Sequence, residues 1–160
     1  MAKKKITILG CSGSVGRSTL DIVNNHSDKF EIVGLTINKD YSTLIKQIKI
    51  FNPKVVAIKD EEAYKKFKSE SNFDNVTVLG GNECLTDILD FPVDFVMASI
   101  VGSAGLLPVL KAAKKGYTIG LANKESLVCS GSLLKDVVRK NNSNILPIDS
   151  EHNAIFQVFE

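Results

Sequence analysis

Ile6-Thr7-Ile8-Leu9-Gly10-Cys11-Ser12-Gly13-Ser14-Val15-Gly16-Arg17-Ser18-Thr19-Leu20 joins a short apolar run to a Gly-x-x-Gly-x-x-Gly turn and then, with no linker, to an amphipathic helix. A turn stripped of side chains lets backbone N–H groups and the positive end of the helix touch a pyrophosphate. The spacing departs from Gly-x-Gly-x-x-Gly, and a tight strand-to-helix turn needs glycine in any case. What points to a dinucleotide is the placement, between the first strand and the first helix of the chain. The helical pattern sends Val15, Ile22 and Val23 toward a sheet.

Outward from this turn, apolar runs recur at Ile6–Leu9, Ile32–Ile37, Val55–Ile58, Val76–Leu79, Phe95–Ala98, Thr118–Leu121 and Ile145–Ile148. Between them, Val15–Asn25, Ser42–Phe51, Glu61–Ser69, Glu83–Leu89, Leu106–Lys114 and Ser132–Asn141 space apolar residues by three and four, the helical period. Strand then helix, repeated, predicts an α/β fold: a doubly wound, mostly parallel, Rossmann-like sheet of about seven strands with helices on both faces. Asp60 reads as an N-cap, Pro108 as a first-turn proline and Gly116 as a helix stop.

At 160 residues and 44% hydrophobic, the chain suits one self-supporting domain. A net charge of +2 with no Trp offers neither a basic field nor stacking aromatics, which argues against nucleic acid. The apolar run after Lys3-Lys4-Lys5 is too short for a signal peptide or a membrane span. Three cysteines, Cys11, Cys84 and Cys129, at no metal-ligand spacing, suit a reducing, cytoplasmic compartment.

Three further polar clusters follow predicted strands. The second strand ends Ile37-Asn38-Lys39-Asp40; a lysine there, with Arg17 on the first helix, favours a ribose 2′-phosphate and hence NADP(H), while Asp40 argues the other way. After the sixth strand comes Ala122-Asn123-Lys124-Glu125-Ser126, which reads either as a helix cap or as a lysine held for substrate oxygens that become negative. After the seventh comes Asp149-Ser150-Glu151-His152-Asn153. If that segment stays extended, Asp149 and Glu151 lie on one side, about 6.5–7 Å apart, able to share a hard cation such as Mg²⁺ or Mn²⁺. Otherwise Asp149 or Ser150 caps a helix starting near Ala154. The edges after strands one, six and seven are expected to converge, with the rest of the site lying outside these 160 residues.

Gly10–Gly16, Met97-Ala98-Ser99-Ile100-Val101-Gly102-Ser103-Ala104-Gly105-Leu106-Leu107-Pro108, Leu121–Leu127 and Leu146–Gln157 together resemble the 1-deoxy-D-xylulose 5-phosphate reductoisomerases across the whole chain. The resemblance implies residues 1–148 as an NADPH-binding domain and 149–160 as the start of a catalytic domain, in a piece of a protein more than twice as long. It implies Ser12, Gly13, Ser14 and Val15 on the NADPH phosphates, Asn38, Lys39 and Asp40 at the adenosine ribose, and Asn123 and Glu125 along the cofactor. Lys124, Ser150 and Glu151 are implied as substrate contacts, and Asp149 and Glu151 as two of three carboxylates on Mg²⁺, Mn²⁺ or Co²⁺. Lys124 and Glu151 are thereby the implied catalytic residues. The implied reaction rearranges and then reduces 1-deoxy-D-xylulose 5-phosphate to 2-C-methyl-D-erythritol 4-phosphate, in isoprenoid synthesis, in a homodimer, with the 160-residue piece inactive alone. The chain departs from the family pattern at Cys11-Ser12, where Ser-Thr is usual, and at Asn38-Lys39-Asp40, where Gly-Lys-Asn is. Two other readings remain: a semialdehyde dehydrogenase using Cys129, against which its flanks argue by suggesting a small buried residue, and a non-catalytic dinucleotide-binding module.

Overall fold

A computed structural model of the chain describes residues 2–122 and 125–158. Seven strands, β1 (Lys4–Leu9), β2 (Phe30–Ile37), β3 (Val55–Ile58), β4 (Thr77–Gly80), β5 (Phe95–Ala98), β6 (Thr118–Leu121) and β7 (Asn144–Pro147), form one sheet in the order β4-β3-β2-β1-β5-β6-β7. Every pairing is parallel, and the order reverses at β1, so a crevice opens where the chains leaving β1 and β5 part company.

Both faces are covered, which is why the central strands read as unbroken apolar runs rather than alternating ones. Helices α1 (Ser14–Asn25), α2 (Tyr41–Phe51) and α3 (Glu61–Glu70) set Leu20, Val23, Leu44, Ile48, Ala63 and Phe67 against Ile6, Ile8, Leu35, Ile37, Val56 and Ile58. On the other face, α4 (Cys84–Asp87), α5 (Leu106–Lys114) and α6 (Glu125–Lys140) bring Leu85, Val109, Ala112, Ala113 and Leu134 onto Val55, Ala57, Val96, Ala98, Ile119 and Leu121. A last helix, α7 (Ser150–Val158), buries no residue. Among the described residues no helix is long and apolar enough to cross a membrane.

Several sequence expectations need correction. Ile22 is not buried against the sheet: it is 56% exposed, bordering an open groove over Ile6, Phe95 and Met97, and α1 packs through Gly16, Leu20 and Val23. Glu83–Leu89 is only one α turn that tightens into a 3₁₀ turn at Ile88–Asp90. The expected helix from Ser132 is the second of two pieces of α6, which meet at a kink where Ser130 has a non-helical φ/ψ of −142° and 23°; a first piece starting at Glu125 precedes it. Cys129 is exposed, not buried.

Candidate active site

The glycine turn is built around its own backbone. Gly10 has a φ of +89°, a conformation side chains disfavour, and an added Cβ would lie 3.1 Å from the Ser99 carbonyl oxygen. Gly16, one turn into α1, lets the helix press onto the turn, since a Cβ there would lie 2.3 Å from the Gly10 carbonyl oxygen. Two hydroxyls hold the crevice between strands. Thr36 Oγ1 accepts from the Gly10 N–H at 2.8 Å, and Ser99 Oγ donates to the Leu9 carbonyl at 2.7 Å. Beneath the turn, the buried Gln47 side chain donates to the Cys11 carbonyl at 3.2 Å, tying α2 to it.

Helix α1 carries the feature an anion recognises. Its N-cap is Gly13, with no side-chain cap and no acidic residue in the first turn, so among the described residues nothing neutralises the first-turn N–H groups and the positive helix end. They open onto a cleft of about 320 Å³ lined by Gly10, Ser12, Gly13 and Ser99 together with Thr36, Asn38 and Lys59. The cleft thus spans the carboxyl ends of β1, β2, β3 and β5, the switch point where open parallel sheets hold ligands. A second groove, about 360 Å³, is lined by Ile22, Phe95, Met97 and Leu146 and reaches the amino ends of the strands at Lys4, Phe30 and Thr118. It has no helix terminus or glycine turn, and the chemistry belongs to the first.

The expected site residues divide. Ser12, Gly13 and Asn38 line the cleft, and Ser14 and Val15 open α1 beside it. Lys39 swings outward, its side chain 74% exposed, to an ion pair with Asp60 at 3.5 Å. Asp40 is spent as the N-cap of α2: its carboxylate accepts from the Thr43 N–H at 3.1 Å and the Ser42 hydroxyl at 2.8 Å. Bonds from the Thr43 side chain, Ser42 and the Thr43 N–H hold that carboxyl below its usual range. Arg17, on the first turns of α1, borders a groove between α1 and α2 with Leu20, Gln47 and Phe51. Glu125 is exposed at the start of α6, while Asn123 and Lys124 lie outside the described residues.

The carboxylate pair is not on an extended strand. Asp149 is the last residue before α7, and its carboxylate accepts from the His152 N–H at 3.0 Å and meets His152 Nδ1 at 2.6 Å. The His152 N–H is the main cause of a carboxyl held below the usual range, so Asp149 is ionised at neutral pH. Glu151 sits in the first turn of α7, where its Oε2 accepts from the Ser150 hydroxyl at 3.0 Å. Helix formation starts at Ser150 rather than near Ala154 because Asp149 supplies the cap. The donors are carboxylate oxygens, suited to a hard cation, but among the described residues no cluster of three metal-binding side chains forms. This edge is three strand spacings from β1, roughly 14 Å, so it is separate from the α1 cleft but on the same side of the sheet.

Sequence reasoning missed Thr36, Lys59, Ser99 and Val101 as cleft residues. The ends of β1, β6 and β7 do share the carboxyl edge of the parallel sheet, as expected, while the cleft itself gathers the edges of β1, β2, β3 and β5. The switch-point rule, applied to a strand order not visible in the sequence, would have found them.

A family model described as 1-deoxy-D-xylulose 5-phosphate reductoisomerase matches residues 6–131. The chain belongs to this family. The reductoisomerase of Thermoanaerobacter pseudethanolicus is 46% identical over 154 residues, 96% of this chain and 40% of that protein. Among solved structures, the Zymomonas mobilis reductoisomerase in complex with NADPH superposes with a TM-score of 0.94 at 40% identity, over 100% of this chain and 43% of that one. A reductoisomerase in complex with NADPH, fosmidomycin and magnesium gives 0.88 at 39% identity, over 96% and 38%. The chain therefore spans about 40% of the length of the relatives it matches.

Proposed function

We propose that this chain is the NADPH-holding part of a reductoisomerase that converts 1-deoxy-D-xylulose 5-phosphate to 2-C-methyl-D-erythritol 4-phosphate, and that it also begins the metal and substrate site. The observation that carries this is the uncapped N-terminus of α1 opening into the switch-point cleft. That geometry fits a dinucleotide, because the N–H groups around Ser12–Val15 can donate to a pyrophosphate while the β2 edge at Asn38 meets a ribose. NADPH and magnesium in the related structures support the same reading.

When bound, the nicotinamide supplies the hydride and the divalent ion polarises the reacting carbonyl. The chain's own residues bind and orient. Asp149 and Glu151 are assigned as two carboxylate ligands of the ion, Ser150 and Lys124 as substrate contacts, Lys124 and Glu151 as catalytic, and Asn123 and Glu125 as neighbours of the cofactor. The division at 148/149 falls just past the end of β7. The third ligand is assigned to the part of the family's length that this chain does not span, and the 160 residues alone are expected to hold cofactor without turnover. The longer protein is proposed as a cytoplasmic homodimer. Cys129, on α6 and absent from the cleft lining, has no place in this scheme.

Titration of the chain with NADPH, followed by reduced-nicotinamide fluorescence, should saturate; no binding would sink the cofactor reading. In the longer enzyme, Asp149→Asn should abolish metal-dependent turnover while NADPH still binds. Retained metal-dependent activity would remove Asp149 from the metal site.

A further inference from the structure

Asp149 caps α7, and Ser150 and Glu151 open it, yet no side chain of this helix is buried, so apolar packing does not set its direction. Polar bonds to the strand before it do. The Asn153 side chain reaches back past the carboxylate segment, and its Nδ2 donates to the Pro147 carbonyl at 2.7 Å. Asp149, Ser150 and Glu151 thus lie inside the loop that this one bond closes.

The acceptor is a group that the sheet leaves over. Strand β7 is at the end of the sheet order, and the Ile148 N–H turns inward to the Leu121 carbonyl at 2.9 Å. Alternation along the strand then points the Pro147 carbonyl to the open edge, away from β6. A carbonyl can only accept, so the Asn153 amide must present its nitrogen there and its oxygen to the other side. That oxygen accepts from Gln157 Nε2 at 2.5 Å, one turn further along α7. Both ends of the amide are used, and its orientation is thereby fixed.

We propose that Asn153 is a positioning residue for the Asp149 and Glu151 carboxylates: by clasping the Pro147 carbonyl it sets the angle at which α7 leaves β7, and with it the spacing at which the two carboxylates meet a divalent cation. The proposal rests on the metal reading of those carboxylates given above. Asn153 acts through the backbone that carries them and is not itself a ligand. Support of this kind, one step behind the ligands, is worth about ten- to a hundredfold in metal affinity.

The test is binding of Mn²⁺ to the longer enzyme, read without turnover from the electron paramagnetic resonance signal of the free ion, beside NADPH titration and the thermal midpoint. Asn153→Leu, close in size but without the amide, should weaken Mn²⁺ about tenfold. NADPH affinity should stay within about twofold, and the thermal midpoint should hold, because α7 lies outside the core. Saturating Mn²⁺ should recover most of kcat. Asn153→Gln keeps the amide and should bind Mn²⁺ more tightly than Asn153→Leu. Unchanged Mn²⁺ affinity in Asn153→Leu, a parallel loss of NADPH and Mn²⁺, or Asn153→Gln no better than Asn153→Leu would overturn the positioning role. Undiminished Mn²⁺ binding in Asp149→Asn would instead overturn the metal reading beneath it.

Discussion

A methyl group at Gly16 would sit 2.3 Å from the Gly10 carbonyl oxygen and 2.7 Å from the Cys11 Cα, both backbone atoms that no rotamer change can move aside. Gly16→Ala should therefore lower stability by roughly 2 kcal/mol or more and displace the turn enough to abolish NADPH binding, read by urea midpoint and nicotinamide fluorescence. Gly131 is the control: nothing lies within 4 Å of its added Cβ, and Gly131→Ala on α6 should be neutral or stabilising by up to about 1 kcal/mol. The cysteines separate by the same logic of surroundings. Burial pushes the Cys11 thiol up to about 12 and the Cys84 thiol up to about 11, while Cys129 is exposed. A thiol reagent at neutral pH should label Cys129 alone in the native chain and all three cysteines in denaturant. The unfolded thiols release protons near 9.0 and the folded ones only at higher pH. The native state thus retains protons that the unfolded state loses, and stability should fall from about pH 9 upward.

At the level of elements, α2 is tied to the glycine turn through one amide. Gln47→Leu removes the bond to the Cys11 carbonyl but also relieves the buried Gln47 Oε1, which has no hydrogen-bond partner among the described residues. The stability change should stay within about 1 kcal/mol while NADPH affinity drops, a split that equilibrium unfolding and titration together detect; equal effects on both would refute the positioning role. The start of α2 should also sense acid. Asp40 titrates below its usual 3.8 in the folded chain, so its cap is intact above that value and is lost as pH falls through the lower folded value, measurable as an acid loss of helical circular dichroism that Asp40→Asn removes. How well each element could be read in advance follows from what stabilises it. Strands β3, β5 and β6 are flanked by helices on both faces, and their apolar runs match the observed bounds, Val55–Ile58, Phe95–Ala98 and Thr118–Leu121. The apolar period over Ser132–Asn141 shows only the second piece of α6, because the kink at Ser130 breaks the period between the two pieces. The Asp149–Glu151 segment could be extended or a capped helix start, because local pattern does not distinguish a strand's polar tail from a capped first turn; the cap at Asp149 is what forms.

For the whole molecule, protection should follow the sheet order. Amides of β1, β2 and β5, central in the sheet, should exchange at the global unfolding rate. Those of α7, nine residues with no buried side chain, should exchange far faster, because a helix that short is marginal without packing. Slow exchange throughout α7 in the 160-residue chain would contradict this. The glycine turn and its helix could be recognised from sequence, since strand, turn and helix are contiguous. Lys59 and Ser99 could not, because their roles arise only when β3 and β5 are set beside β2 and β1. The sheet order also bears on synthesis. Strand β1 leaves the ribosome first, and its partner β2 follows within the next thirty residues, but its other partner, β5, begins only at Phe95. During translation a half-sheet β4-β3-β2-β1 can assemble with β1 as a temporary edge, and that apolar edge is what a nascent-chain chaperone would have to shield until β5 emerges.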